Sequence, residues 1–310
     1  MTLSLFDVLD PKPAALPPPP QPLPIREGAL PSPPAAPTIG ALQLRPYQRE
    51  CVNSVLSEFR RGVKKTLCVL ATGAGKGTLG VELVRQAEMR GHGVLWLAHR
   101  EELLLDIKGR MSRVGIHGLL EKAGERAIGN YGIESKVVVG SVQTMQGKRL
   151  EQWPADAFQL IVADEAHHVI SRQHRQVLAR FPKARVVGLT ATPDRLDRKN
   201  IGRIFESLAY EFNLKQCIEG GYLVPLVAER LALDPPLDLR NLRTTAGDFN
   251  TGDLEAEVQA NIGRLANALA DTQILGNRKT IAFTPDIESA MSLAEAANDV
   301  GIPAEAISYK

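Results

Sequence analysis

Five short apolar runs, spaced so that helices fit between several of them, constrain this chain more than any other feature. They are Thr66–Ala71, Gly93–Ala98, Lys136–Gly140, Leu160–Ala163 and Arg185–Leu189. None alternates polar with apolar residues, so each reads as a strand buried on both faces. Helical patterning follows the first run as far as Met89, and follows the second over Glu101–Val114. Buried strands joined by helices give an α/β fold, a parallel sheet flanked by helices. Ligands of such sheets bind where the strands end, at their carboxyl edge. The residues after each run are therefore the ones to read for chemistry.

Proline marks what lies outside that pattern. Of 21 prolines, 12 fall between Pro11 and Pro37. Proline has a fixed φ and no backbone donor, so residues 1–41 read as a solvated, polyproline-like tail. A docking segment for a protein partner, anchored by Leu5–Leu9, is the alternative. The remaining length suits two domains. Lys+Arg 37 against Asp+Glu 35 gives a net charge of +2, so no bulk cationic field draws in a polyanion. The three cysteines form no CxxC pair, and no apolar run reaches the ~20 residues of a membrane span. The first residues lack the basic-then-apolar order of a signal peptide, and the cytoplasm is the expected location.

After the first run comes Thr72-Gly73-Ala74-Gly75-Lys76-Gly77-Thr78. Glycines let backbone N–H groups converge on phosphate oxygens, a following helix adds its dipole, and Lys76 adds a full charge. The strict pattern GxxxxGK[ST] is met only in part: Leu70 stands at the first glycine and Gly77 at the hydroxyl position. After the fourth run, Asp164-Glu165-Ala166-His167-His168 puts a carboxylate where Mg²⁺ would be held, with a second beside it to orient water. A zinc site built from His167, His168 and His174 lacks the HExxH spacing. Thr190 and Thr192 follow the fifth run as two hydroxyls separated by one small residue. Arg100 follows the second run, and Ser141 and Thr144 follow the third; such groups suit contacts to a nucleic-acid backbone. Ahead of the first run, Gln48 opens a helix with an amide able to read an adenine edge. Taken singly, each of these also fits an ordinary turn, loop or helix start.

Together, in this order and spacing, they resemble a superfamily 2 helicase. The nearest likeness is to the DEAD/DEAH-box branch related to restriction-enzyme Res subunits. The likeness runs from about Leu44 to Phe283: Leu44–Gln48 resembles the adenine segment, Ala71–Thr78 motif I, Leu97–Leu103 motif Ia, and Gly140–Thr144 the next strand-contacting motif. Asp164–His167 is the DEAH box and Thr190–Thr192 motif III. The resemblance implies two RecA-like lobes with ATP and Mg²⁺ between them and a nucleic-acid strand across both. It implies Thr72 to Thr78 around the phosphates, Lys76 on the β/γ-phosphates, Asp164 on Mg²⁺, and Glu165 as catalytic base in the box that His167 completes. Gln48 would read adenine, Thr190 and Thr192 would couple nucleotide state to lobe movement, and Arg100, Ser141 and Thr144 would hold the tracked strand. DNA is the expected partner, ahead of RNA; an RNA helicase and a non-catalytic nucleotide-responsive nucleic-acid-binding module are the alternatives. Gly77 departs from the family pattern, so ATP binding with weakened metal affinity is expected.

Residues 42–232 read as the first lobe and 233–260 as the connecting region, with Pro235-Pro236 and Gly247-Asp248 as breakers. From 261 onward the pattern reads as a second lobe: a helix over Asn261–Leu275, a strand over Lys279–Thr284, and a helix from Asp286 to Val300. A strand over Ala304–Tyr309 would follow. A RecA-like lobe needs more than about 100 residues, so residues 261–310 read as an incomplete one.

Overall fold

Pro46 opens the first helix, α1 (Pro46–Arg60), at a position where a missing N–H costs nothing. Tyr47, Cys51, Val52, Val55 and Phe59 recur at helical spacing and form its buried face. The computed structural model describes residues 42–191, 202, 204–226, 233, 237, 240, 242–245, 248–270 and 279–308. The proline-rich stretch 1–41 and Thr192 lie outside the described residues. These residues divide into two units, one ending at Val224 and the other beginning at Pro225.

The first unit is built on β1 (Lys65–Leu70), β2 (Val94–Ala98), β3 (Gly118–Glu121), β4 (Val137–Ser141), β5 (Leu160–Asp164), β6 (Arg185–Thr190) and β7 (Ser207–Phe212). The order across the sheet is β3-β4-β2-β5-β6-β1-β7, and every neighbouring pair is parallel. Helices α2 (Lys76–Glu88), α3 (Glu101–Arg113), α4 (Gly147–Glu151) and α5 (Arg172–Arg180) complete the α/β layering expected from the sequence.

Each of the strands β1 to β6 feeds two cores. Cys68 and Leu70 of β1 join Val94, Trp96 and Ala98 of β2 on one face. Leu67 and Val69 join Leu95 and Leu97 on the other. That double burial is why the runs are continuous rather than alternating. Trp96 is fully buried, and Gly80 of α2 admits it: a Cβ there would lie 2.4 Å from the indole ring.

Two strands were not legible in the apolar runs. β3 is only four residues long and ends in Glu121, a fully buried carboxylate that Arg149 pairs with and to which the Ala127 N–H donates at 2.8 Å. β7 is an edge strand whose burial is only partial, so it lacks the unbroken apolar signature of its neighbours.

The second unit departs further from the sequence reading. Thr251–Ala260 is a helix inside the region read as a connector; Asn250 caps it by accepting from the Asp253 N–H at 3.3 Å. The capping signal sits just past the Gly247-Asp248 breaker that dominated the sequence pattern. The next helix covers Ile262–Ala270, and residues 271–275 of its expected span lie outside the described residues. Lys279–Thr284 and 304–308 are not strands; among the described residues neither pairs with a sheet, and Ile281, Phe283 and Ile307 are exposed. A β-propensity run needs a hydrogen-bonding neighbour before it becomes a strand. Asp286 caps the helix Ile287–Asp299 by accepting from Ser289 N–H at 2.7 Å, and the expected helix from Asp286 to Val300 is present. Within this unit Gln259 donates to Ser292 Oγ at 2.8 Å, tying two of the helices.

Candidate nucleotide and strand site

β1 runs into the glycine-rich loop, and α2 begins at Lys76 with Gly75 as its N-cap. Gly73 (φ 84°) and Gly75 (φ 79°) both take left-handed backbone that only glycine adopts without strain. Gly75 also leaves room for Gln48, whose Nε2 would stand 2.5 Å from a Cβ there. The Ala74 carbonyl accepts from Tyr47 OH at 2.7 Å and from Gln48 Nε2 at 3.0 Å, so α1 clamps the loop with two donors. Gln48 Oε1 accepts from the Arg45 backbone N–H at 2.9 Å. The amide expected to read adenine is thus buried, with its polar atoms turned onto the loop and its own helix start.

Lys76 extends from the first turn of α2, and its ammonium stands 3.8 Å from Glu165 Oε1. Strand β5 ends at Asp164, and Glu165 takes a left-handed conformation (φ 48°) before the turn Ala166–His168. The Glu165 N–H donates to Asp164 Oδ1 at 3.0 Å. Burial, with the neighbouring Glu165 charge, pushes the Asp164 carboxyl up to about 6; the Glu165 backbone bond, Lys76 and Arg110 act the other way. Two crowded carboxylates facing a lysine suit a hard divalent cation, which prefers oxygen ligands.

His167 connects the acidic box to β6. Its Nδ1 is 3.3 Å from Glu165 Oε2 and 3.2 Å from Thr190 Oγ1, and Thr190 is fully buried. Gly77 and Thr78, in the first turn of α2, are partly buried, whereas Thr72 and Gly73 face outward at the loop tip.

The residues expected on a nucleic-acid strand lie at or just past the ends of adjoining strands, since β2 pairs with β4 and Ala98 stands opposite Ser141. Arg100 is exposed and extended at the start of α3. Ser141 Oγ donates to Gln143 Oε1 at 2.7 Å, and Thr144 is half-buried with its N–H on the Ser141 carbonyl at 3.1 Å. Gln143 in turn donates to the His99 carbonyl at 2.7 Å, bridging the two loops. The His99 ring packs edge-on against His168 with centroids 4.5 Å apart, so the β2 loop also touches the acidic box. Sequence reasoning gave neither Gln143 nor His99 a role. Their signal was available, because both sit at ends of neighbouring strands.

The family model described as type III restriction enzyme, res subunit, matches residues 41–195. A provisionally named ATP-dependent helicase of Saccharomyces cerevisiae, IRC3, is 27% identical over 278 residues, 84% of this chain and 39% of that protein. The type I restriction enzyme EcoAI endonuclease subunit of Escherichia coli is 28% identical over 222 residues, 69% of this chain and 26% of that one. The chain therefore spans less than half the length of either relative. A fragment structure of a provisionally assigned type I HsdR subunit from Vibrio vulnificus YJ016 superposes with a TM-score of 0.62. It is 23% identical and covers 82% of this chain and 45% of that chain, a likeness of fold. With the glycine loop, acidic box and hydroxyl motif in one parallel sheet, this chain belongs to the family of type III restriction enzyme res subunits, among the superfamily 2 helicases.

Proposed function

We propose that the first unit is the ATP-binding lobe of a DNA-directed helicase or translocase. The observation that carries this reading is Lys76, at the start of α2, held 3.8 Å from Glu165 at the end of β5. A phosphate cradle and an acidic box are thereby brought to one edge of the sheet. The N–H groups of Gly73 to Thr78 would take the phosphate oxygens, with Lys76 on the β/γ-phosphates. Asp164 would hold Mg²⁺, which when bound would neutralise charge on the phosphates. Glu165 would orient a water for attack on the γ-phosphorus, the bond to the β-bridging oxygen breaking to give ADP and phosphate. Thr190 would sense that change through His167, with Thr192 as its partner. Arg100, Ser141 and Thr144 would contact the strand, Ser141 by releasing Gln143. Gln48 would position the loop, and reading adenine would require it to give up a bond it already makes.

DNA is favoured because the res-like branch is mostly DNA-directed, and because the matched relatives include a restriction-enzyme subunit. The test is binding of a fluorescent ATP analogue to this chain, followed by titration with single-stranded DNA, duplex DNA and RNA of one sequence. Nucleotide binding that strengthens with DNA more than with RNA is expected. Binding of nucleotide with no response to any nucleic acid would overturn the motor reading. A response to RNA alone would overturn the DNA assignment.

A further inference from the structure

Position 77 is where a phosphate loop ordinarily carries a serine or threonine, whose hydroxyl goes to Mg²⁺. Here it is glycine, yet the space beside it is not open solvent. A Cβ on Gly77 would lie 3.3 Å from Ile107 Cδ1, and 3.7 Å from both Cδ and Nε of Arg110. Ile107 and Arg110 are three residues apart on α3 and so share one face of it. That face carries a guanidinium to the first turn of α2, one residue from Lys76.

We propose that Arg110 is a phosphate-contacting residue of the nucleotide site, admitted there by the missing side chain of Gly77. The inference rests on the phosphate-loop reading given above. Two observations and one general property of arginine bear on it beyond the packing. Arg110 and Lys76 are the two cations whose charge acts on the Asp164 carboxylate, so the guanidinium shares that electrostatic environment. Its present partner is Asp106, to which Nε donates at 2.7 Å, in a pair 43% and 50% exposed. An exposed i,i+4 pair of this kind is weak, so a phosphate can displace it. Arginine also stays charged and offers a planar fork that matches phosphate oxygens, which a hydroxyl cannot. In this chain a fixed cation on α3 would take part of the neutralising role that a hydroxyl-held metal has elsewhere.

The test is a titration of a fluorescent ATP analogue, run in EDTA and again with Mg²⁺. Arg110→Ala is expected to weaken binding about tenfold in EDTA, about 1.4 kcal/mol, and by less when Mg²⁺ is present. Gly77→Thr would crowd the same guanidinium and supply a hydroxyl, so it too should bind weakly in EDTA while gaining more from Mg²⁺ than the parent. Asp106→Asn, which frees the guanidinium without removing it, is expected to tighten binding in EDTA. Arg110→Ala binding as tightly as the parent in EDTA would overturn the proposal, as would weaker binding by Asp106→Asn. Lys76→Ala in the same titration separates the two readings. If it alone loses affinity, the phosphate loop stands and Arg110 falls; if it binds like the parent, the loop assignment itself fails. Thermal unfolding midpoints near the parent's would show that the exposed α3 substitutions left the fold intact.

Discussion

The imidazole Nδ1 of His167 stands 3.2 Å from the hydroxyl of Thr190, the last residue of β6. The same nitrogen is 3.3 Å from Glu165 Oε2, whose other oxygen faces Lys76 at 3.8 Å. A single line of polar contacts therefore runs from the glycine loop, through the acidic box, to the end of β6. A group that moved Glu165 would be felt at Thr190.

Thr190→Val removes one end of that line while keeping the β-branched shape. Thr190 is fully buried, so loss of its hydrogen bonding should lower unfolding stability by about 1 kcal/mol. Nucleotide affinity should stay near the parent's, while any strengthening of nucleotide binding by DNA is lost. Retained DNA dependence in this variant would show that His167 and Thr190 pack together without transmitting anything.

Lys76→Ala should weaken nucleotide binding by about a hundredfold, because the loop loses its charge-assisted contact to phosphate. Its effect on stability should be small, since the contact with Glu165 is long at 3.8 Å. Equilibrium binding and chemical denaturation of the same preparation check both halves.

Gly80→Ala tests the packing under the site. The new methyl would stand 2.4 Å from the Trp96 ring and 3.0 Å from Leu189 Cδ1, in a core with no room to yield. Alanine's better helix propensity offsets about 1 kcal/mol, so a net loss of about 2 kcal/mol is expected. A variant as stable as the parent would mean that α2 can shift away from the sheet.

His174 sets an acid limit. It is buried, its Nδ1 lies 2.9 Å from Ser171 Oγ, and burial, with His168 and His99 nearby, lowers its pKa to about 4. The unfolded chain takes up that proton near pH 6.5. This residue's share of stability is therefore complete above pH 6.5 and drains away as pH falls toward about 4, where the loss reaches about 3 kcal/mol. His174→Gln should flatten the stability profile between those two pH values. Identical slopes for parent and variant, in urea titrations at each pH, would rule the residue out.

The fold of the first unit was legible because its central strands are buried on both faces. Continuous runs such as Val137–Val139 have no other ready explanation. Lys76, Asp164 and Glu165 could be named as candidates because each residue type carries its own chemistry, and the fold brings the three together. The site was opaque wherever the role depends on a partner far away in sequence. The amide of Gln48 is committed to Ala74, 26 residues on, and Arg110 reaches Gly77 across 33 residues. Glu121 hid β3 because a buried carboxylate reads as a loop residue until Arg149 is placed beside it. In the second unit, propensity suggested strands at Lys279–Thr284 and Ala304–Tyr309, but pairing is a property of neighbours, not of the segment.

Glu165 is the one non-glycine residue with positive φ among the described residues. Along an extended strand, Asp164 and Glu165 would point to opposite faces of the sheet. The left-handed turn breaks that alternation and brings the second carboxylate toward Lys76. Holding an L-residue there costs on the order of 1 kcal/mol, so asparagine or glycine at 165 would make the unit more heat-resistant. Selection for thermal endurance alone would thus drift toward those two residues and discard the carboxylate. On the proposed role of Glu165 in orienting water, this chain gives up that stability to keep a carboxylate beside Lys76.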